Sequence, residues 1–406
     1  MVGYALTSPA EFHMPSGQLM ARRWAAFAAG STAVFAGMQG CGSGRSSGAT
    51  SSPALEPPTG LSYPQASITA VVGTPLAADV PVVQGQVVSY SIAPDLPRDL
   101  HLNTSTGVIA GTPAAPAPPT VYTVTAKNGA GATTTTVTLS VSQPVLQVFS
   151  LNFSQDPVGL YGPSIVSTDW NRPPWADGPD QGFLSVVEGA ESYEGGRSLK
   201  IWYPAGQFGT AGPGGAGGGG VWNTQFGAGG ALQSFEELYV AYRVKFQSGF
   251  DFVKEGKMRG LAGGARNDGG HKPNDSDGFS VRLIWKAGGQ LKEYVYHPDQ
   301  AGVYGDELAW MVNGAPVVFT PGTWYWIEHR VKMNAPGQHD GIVQGWIDGK
   351  LAFDRRDFRF RDTPAFGIDA FQFSTFFGGS DATYATKKEE AAFNDDFVVS
   401  TGPISH

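Results

Sequence analysis

A single cysteine, Cys41, stands in 406 residues, so no disulfide can form within the chain. Charge is also scarce: 15% of residues are charged, and the net charge is −8. No basic stripe is available to neutralise a phosphate backbone, which argues against nucleic acid as a partner. An acidic total still leaves room for a local cationic cleft and an anionic substrate. No Gly-x-Ser-x-Gly run stands between a strand and a helix, and there is no His-Glu-x-x-His helix, so serine and zinc hydrolase chemistry lack support. The glycine run "AGPGGAGGGGVWNTQF" is not followed by Gly-Lys-Ser/Thr, which argues against a phosphate loop. "NDSDG", with Asp275 and Asp277, lacks the spacing and closing glutamate of a calcium loop and reads as a polar turn. No metal and no cofactor is expected.

What the chain has in quantity is glycine (56), proline (29) and aromatic residues (12%). With almost no long helical periodicity, this profile suits an extracellular all-β protein. The segment "MARRWAAFAAGSTAVFAGMQGCGSG" reads as a secretion signal: two arginines, a small-sided apolar run and a processing site. The run is too short for a comfortable transmembrane span. "MQGC" resembles the lipobox of bacterial lipoprotein signals, which implies lipidation of Cys41. That places the protein in a bacterial cell envelope, anchored to a membrane through Cys41 and facing the periplasm or the surface. An ordinary signal peptide would instead leave it secreted. The residues before Met14 read as an over-long start. After the signal segment 1–41, residues 42–60 are rich in Gly, Ser and Pro and form a flexible tether, because such composition buries no core.

Residues 61–142 alternate with the period of sandwich strands in "VVSYSIAP" and "TVYTVTAKNGAGATTTTVTLSVS", with Asn128-Gly129 and Gly131 as turn formers. "YSIAPDLPRDLHLNTSTGVIAGTP" resembles the immunoglobulin-like repeats of bacterial surface proteins, which implies a small β-sandwich acting as a spacer. The composition then changes, and residues 148–404 form a second domain. Short strand-like runs fill it, among them "ELYVAYRVKF", "GFSVRLIW", "KEYVYHP", "WYWIEHRVKMN" and "AFQFSTFFGG", with Asp348-Gly349 as a two-residue hairpin. The expectation is an all-β chain: a concanavalin-like two-sheet jelly roll after a smaller immunoglobulin-like domain. One curved sheet face of such a fold suits a chain-like ligand.

"DGFSVRLIWKAGGQLKEYVYHPDQ" places Ser280, Arg282 and Ile284 on one side of a strand, and Phe279, Val281, Leu283 and Trp285 on the other. After a turn, Tyr294 and Tyr296 share one face of the return strand. Cross-strand surface pairing would account for this pattern alone. Lys257 lies between Gly256 and Gly260, and Arg259 would share its side of a strand. A lone lysine is most often a solvated charge. Together, however, Lys257, Arg282, Tyr294 and Tyr296 are the groups needed to eliminate across C4–C5 of a uronic acid. Arginine can neutralise the C5 carboxylate with two parallel N–H donors. A lysine or tyrosine could take the C5 proton, and a neutral phenol could protonate the departing O4. A groove holding Arg282 without nearby carboxylates is the expected environment.

The ordered set "GKMRGLAGG", "DGFSVRLIW", "EYVYHP", "GTWYWIEHRVKMNAPGQHDGIVQGWIDGK" and "FSTFFGG" resembles polysaccharide lyase family 14, the alginate and polyglucuronate lyases. The resemblance covers most of residues 150–403. It implies a β-jelly roll, no obligatory metal and cleavage of an anionic polysaccharide, a polyuronate, by β-elimination. Residue by residue, it puts the catalytic lysine on Lys257, the arginine on Arg282 and the tyrosine pair on Tyr294 and Tyr296. It also puts Ser280 in the same cleft. The family pattern Gly-Gly-Lys-Leu-Pro-Gly is replaced here by Glu255-Gly256-Lys257-Met258-Arg259-Gly260, which adds Arg259 as a cation. The cleft histidine of the family is matched by His271, in a loop rich in Gly and Asp. Arg330, with Lys332 beside it, is a further candidate for the cationic groove, against the alternative of solvated surface. The substrate-binding set is therefore Ser280, His271, Arg259 and Arg330. The protein is expected to act as a monomer. Two rival readings remain: a glycoside hydrolase on the same fold, and a non-catalytic polysaccharide-binding lipoprotein.

Overall fold

Two eleven-residue strands, Ala117–Lys127 and Ala132–Ser142, form the longest hairpin of the N-terminal unit. The Asn128 side chain closes their turn by accepting the N–H groups of Ala130 and Gly131. They pair with Ser67–Val71 and Ser89–Ala93 in a four-stranded sheet. A three-stranded sheet of Leu76–Asp79, Ile109–Gly111 and Leu100–Leu102 accompanies it. Inward residues such as Ile68, Ile109, Tyr122, Val124, Val137 and Leu139 make one buried cluster. The computed structural model describes residues 54–210, 217–227 and 232–405. The signal segment, Cys41, most of the tether and part of the glycine run lie outside the described residues.

The C-terminal unit is a β-jelly roll of two large sheets. A nine-stranded sheet has Glu390–Ser400, Glu237–Phe246 and Trp324–Lys332 at its centre. A seven-stranded sheet runs in the order Ala176–Asp177, Gly220–Gln225, Ala370–Phe377, Glu255–Gly264, Gly278–Lys286, Leu291–Tyr296, Asp306–Ala309. Period-2 alternation sends Leu238, Val240, Tyr242, Val244 and Phe246 from one sheet, and Phe279, Val281, Leu283 and Trp285 from the other, into one shared core. Trp170 joins this core, stacked on Phe371 and edge-on to Phe397. It follows the helix Pro163–Asp169, whose seven residues are too few to show a helical period in the sequence. The hairpin at Asp348-Gly349 is as read: φ is +48° and +73°, the left-handed pair of a type I′ turn.

Candidate active site

The candidate site lies on the face of the seven-stranded sheet that points away from the core. Tyr294 lies directly opposite Arg282, Glu307 opposite Tyr294, and Ser280 opposite Tyr296. Lys257 lies opposite Ile284 on one side and Phe376 on the other. Two glycines make this possible. A Cβ on Gly256 would fall 1.8 Å from the Trp285 ring, and one on Gly260 would fall 1.9 Å from the Val281 carbonyl oxygen. The result is a cavity of about 420 Å³ lined by Lys257, Arg282, Tyr294 and Tyr296, together with Glu255, Asp268, Tyr304, Glu307, Phe376 and Tyr384.

Within it the two phenol oxygens are 3.2 Å apart, with the rings edge-on at 87°. The Lys257 ammonium sits 4.3 Å above the Tyr294 ring. Burial pushes the Tyr294 phenol well above its ordinary range, and its bond to Tyr296 adds to this, so Tyr294 keeps its proton. The Tyr296 oxygen accepts the Gly270 N–H at 3.1 Å. Burial pulls Lys257 below the usual lysine value, against the opposing pull of Glu255. The Arg282 side chain is 4% exposed, and its nearest carboxylate, Asp268, is 3.5 Å away. Its Nε has no hydrogen-bond partner among the described residues.

Five expectations are corrected. The cavity is not free of carboxylates. Glu255 pairs with Lys257 and with Lys286, the latter at 2.7 Å, while Glu307 bridges Lys286 and Lys292 at 3.0 and 3.2 Å. Arg259 does not share the side of Lys257. The strand register shifts between Lys257 and Gly260, a β-bulge that turns Arg259 into the core beside Met258. There Arg259 donates to Asn394 and stacks 4.7 Å over Phe373. Arg330 belongs to the nine-stranded sheet, where it is tied to Glu237 at 2.8 Å and Gln344 at 2.7 Å. His271 is exposed and contacts the Asp268 carbonyl; its loop instead delivers Asp268 and Gly269 to the cavity. Ser280 is fully buried under the site and donates to the Asn267 carbonyl at 2.7 Å, so it anchors that loop. Glu255 was within reach of the sequence, since residues two apart on a strand share a face. Asp268, Glu307, Tyr304 and Tyr384 come from other elements and carry no local signal.

The profile of polysaccharide lyase 14 matches residues 191–397, half of the chain. The chain belongs to polysaccharide lyase family 14. It is a polysaccharide lyase preceded by an immunoglobulin-like domain, whose profile matches residues 57–142. Among solved structures, alginate lyase Aly36B is 24% identical with a TM-score of 0.53, covering 64% of this chain and 98% of its own. A double mutant of the same lyase, in complex with alginate trisaccharide, also superposes with a TM-score of 0.53 at 24% identity, covering 62% of this chain and 97% of its own. The marine PL-14 alginate lyase from Aplysia kurodai is 24% identical with a TM-score of 0.51, covering 63% of this chain and 100% of its own. At these identities the likeness establishes the jelly roll. No curated protein matches the chain.

Proposed function

We propose that this family 14 lyase cleaves a polyuronate, of the alginate or polyglucuronate class, by β-elimination at C4–C5. The observation that carries the reading is Arg282: a buried guanidinium with an unpartnered Nε that lines the cavity with Lys257 and two touching phenols. A uronate carboxylate seated on that fork would delocalise the charge that builds at C5 as its proton leaves. The C5–H bond breaks, the C4=C5 double bond forms, and the C4–O4 bond breaks with a proton delivered to O4. Lys257, Tyr294 and Tyr296 are the groups placed to move these protons. The alginate lyases of the same fold support a uronate substrate.

A retaining or inverting hydrolase needs a carboxylic acid and a free carboxylate. Glu255 and Glu307 are each held by two lysines, which disfavours that rival. The test is incubation of the protein with alginate, glucuronan and pectin while the ultraviolet absorbance of the unsaturated uronate is followed. New reducing ends without that absorbance would mean hydrolysis, and neither signal would leave only binding. The "MQGC" motif supports a further part of the reading: anchoring at the cell envelope through a lipid on Cys41.

A further inference from the structure

Glu255 and Lys257 leave one strand two residues apart and so share its cavity face. Their side chains are 9% and 13% exposed, and they form an ion pair. The second oxygen of Glu255 is taken by Lys286. Arg282 faces the ammonium from the adjacent strand, Tyr294 and Tyr296 from the next, Glu307 from the outermost strand and Asp268 from the loop. Glu307 is engaged with Lys286 and Lys292, and Asp268 with Arg282 and Gln372. Glu255 is thus the one carboxylate paired with Lys257 among the described residues, at a position where the family pattern has glycine.

We propose that Glu255 is a positioning residue that holds Lys257 as an ammonium over Tyr294, making it a fixed cation of the elimination while the phenol pair moves the protons. This rests on the polyuronate lyase reading. An amine takes a proton from C5 only when neutral, and a carboxylate in contact favours its charged form. Burial, the largest effect, and Arg282 act in the opposite sense, and Glu307 adds only a weaker pull, so removing Glu255 takes away the one contact that holds the charge. Tyr296, with the Gly270 N–H aimed at its oxygen, receives the C5 proton, and Tyr294 gives its own to O4. Proton transfer across the 3.2 Å gap from Tyr296 to Tyr294 then resets the pair.

The test is Glu255→Gln in the full chain, with kcat on a polyuronate measured across pH and the Lys257 side chain titrated by NMR. Lysine that must stay charged fixes the alkaline limb, so that limb moves to lower pH, with a loss on the order of tenfold at its alkaline edge. Glu255→Asp restores the limb part-way. A folded variant whose alkaline limb does not move overturns the proposal, as does one whose acid limb moves down, which would mark Lys257 as a neutral base. If the glutamine variant does not fold, Glu255→Gly is read by the same two criteria. Wild-type protein that makes no unsaturated uronate refutes the polyuronate lyase reading. Wild-type activity with an unmoved Glu255→Gln profile refutes only the role of Glu255.

Discussion

Arg282 sits at the floor of the cavity on the middle of three neighbouring strands, between the lysine strand and the tyrosine strand. Its contact with Asp268, at 3.5 Å, is longer than a good charge-assisted hydrogen bond, so its donors are only lightly engaged. A lysine there would keep the charge but lose the planar pair of donors. Arg282→Lys should therefore lower kcat on the order of 10²-fold, the size seen when an electrostatic stabiliser is removed. Tyr296→Phe removes one hydroxyl and nothing of the ring packing against Tyr294, so it should fold and bind while losing about 10²-fold or more in turnover. Initial rates of unsaturated uronate formation, with circular dichroism to confirm folding, decide both. If the two variants keep wild-type rates, the elimination takes place on another face of the sheet.

At the scale of the element, the strand Glu255–Gly264 shows why part of the site was legible and part was not. Strict alternation correctly put Arg282 beside Tyr294 and Tyr296, because the paired strands Gly278–Lys286 and Leu291–Tyr296 run in unbroken register. The same rule failed for Arg259, because a bulge adds one residue between Lys257 and Gly260 and reverses the face from there on. Nothing in "EGKMRG" announces that bulge, since it depends on how two neighbouring strands pair. Asp268 and Glu307 were hidden for a related reason: they reach the cavity from separate elements, and only tertiary pairing brings them in. The corrected position has a consequence. Arg259→Met should leave kcat and KM close to wild type, because the side chain lies between the sheets. It should cost about 1–3 kcal/mol of stability by leaving the buried Asn394 oxygen without its donor. Thermal unfolding together with kinetics well below Tm checks this, and a large rise in KM with Tm unchanged would put Arg259 in the substrate groove after all.

For the molecule as a whole, the proposed tether and spacer can each be tested apart from the lyase. If Cys41 carries the anchor, Cys41→Ser should move the protein from the membrane fraction to the soluble one without changing activity per molecule. An unchanged fractionation would remove the lipid from the picture. The spacer reading makes the larger claim. The two hydrophobic clusters have no residue in common: one is drawn from positions 61–141, the other from 153–399. None of the residues lining the candidate cavity comes from the immunoglobulin-like domain. The seam between the domains fixes where the chain can be cut. Gln147–Leu151 pairs with Glu390–Ser400, and Leu146 exchanges hydrogen bonds with Thr401 at 2.9 and 3.0 Å. A chain beginning at residue 143 keeps that strand, whereas one beginning at 152 strips it from Glu390–Ser400 and removes the partly buried Phe149, which stacks on Trp170. The 143–406 chain should fold, with Tm close to that of the lyase transition in the full protein, and should cleave short oligouronates at the full rate. The 152–406 chain should unfold at a lower temperature. A folded 143–406 chain that has lost activity on long polymer but not on short oligomers would assign the immunoglobulin-like domain a part in holding the substrate, in place of a spacer.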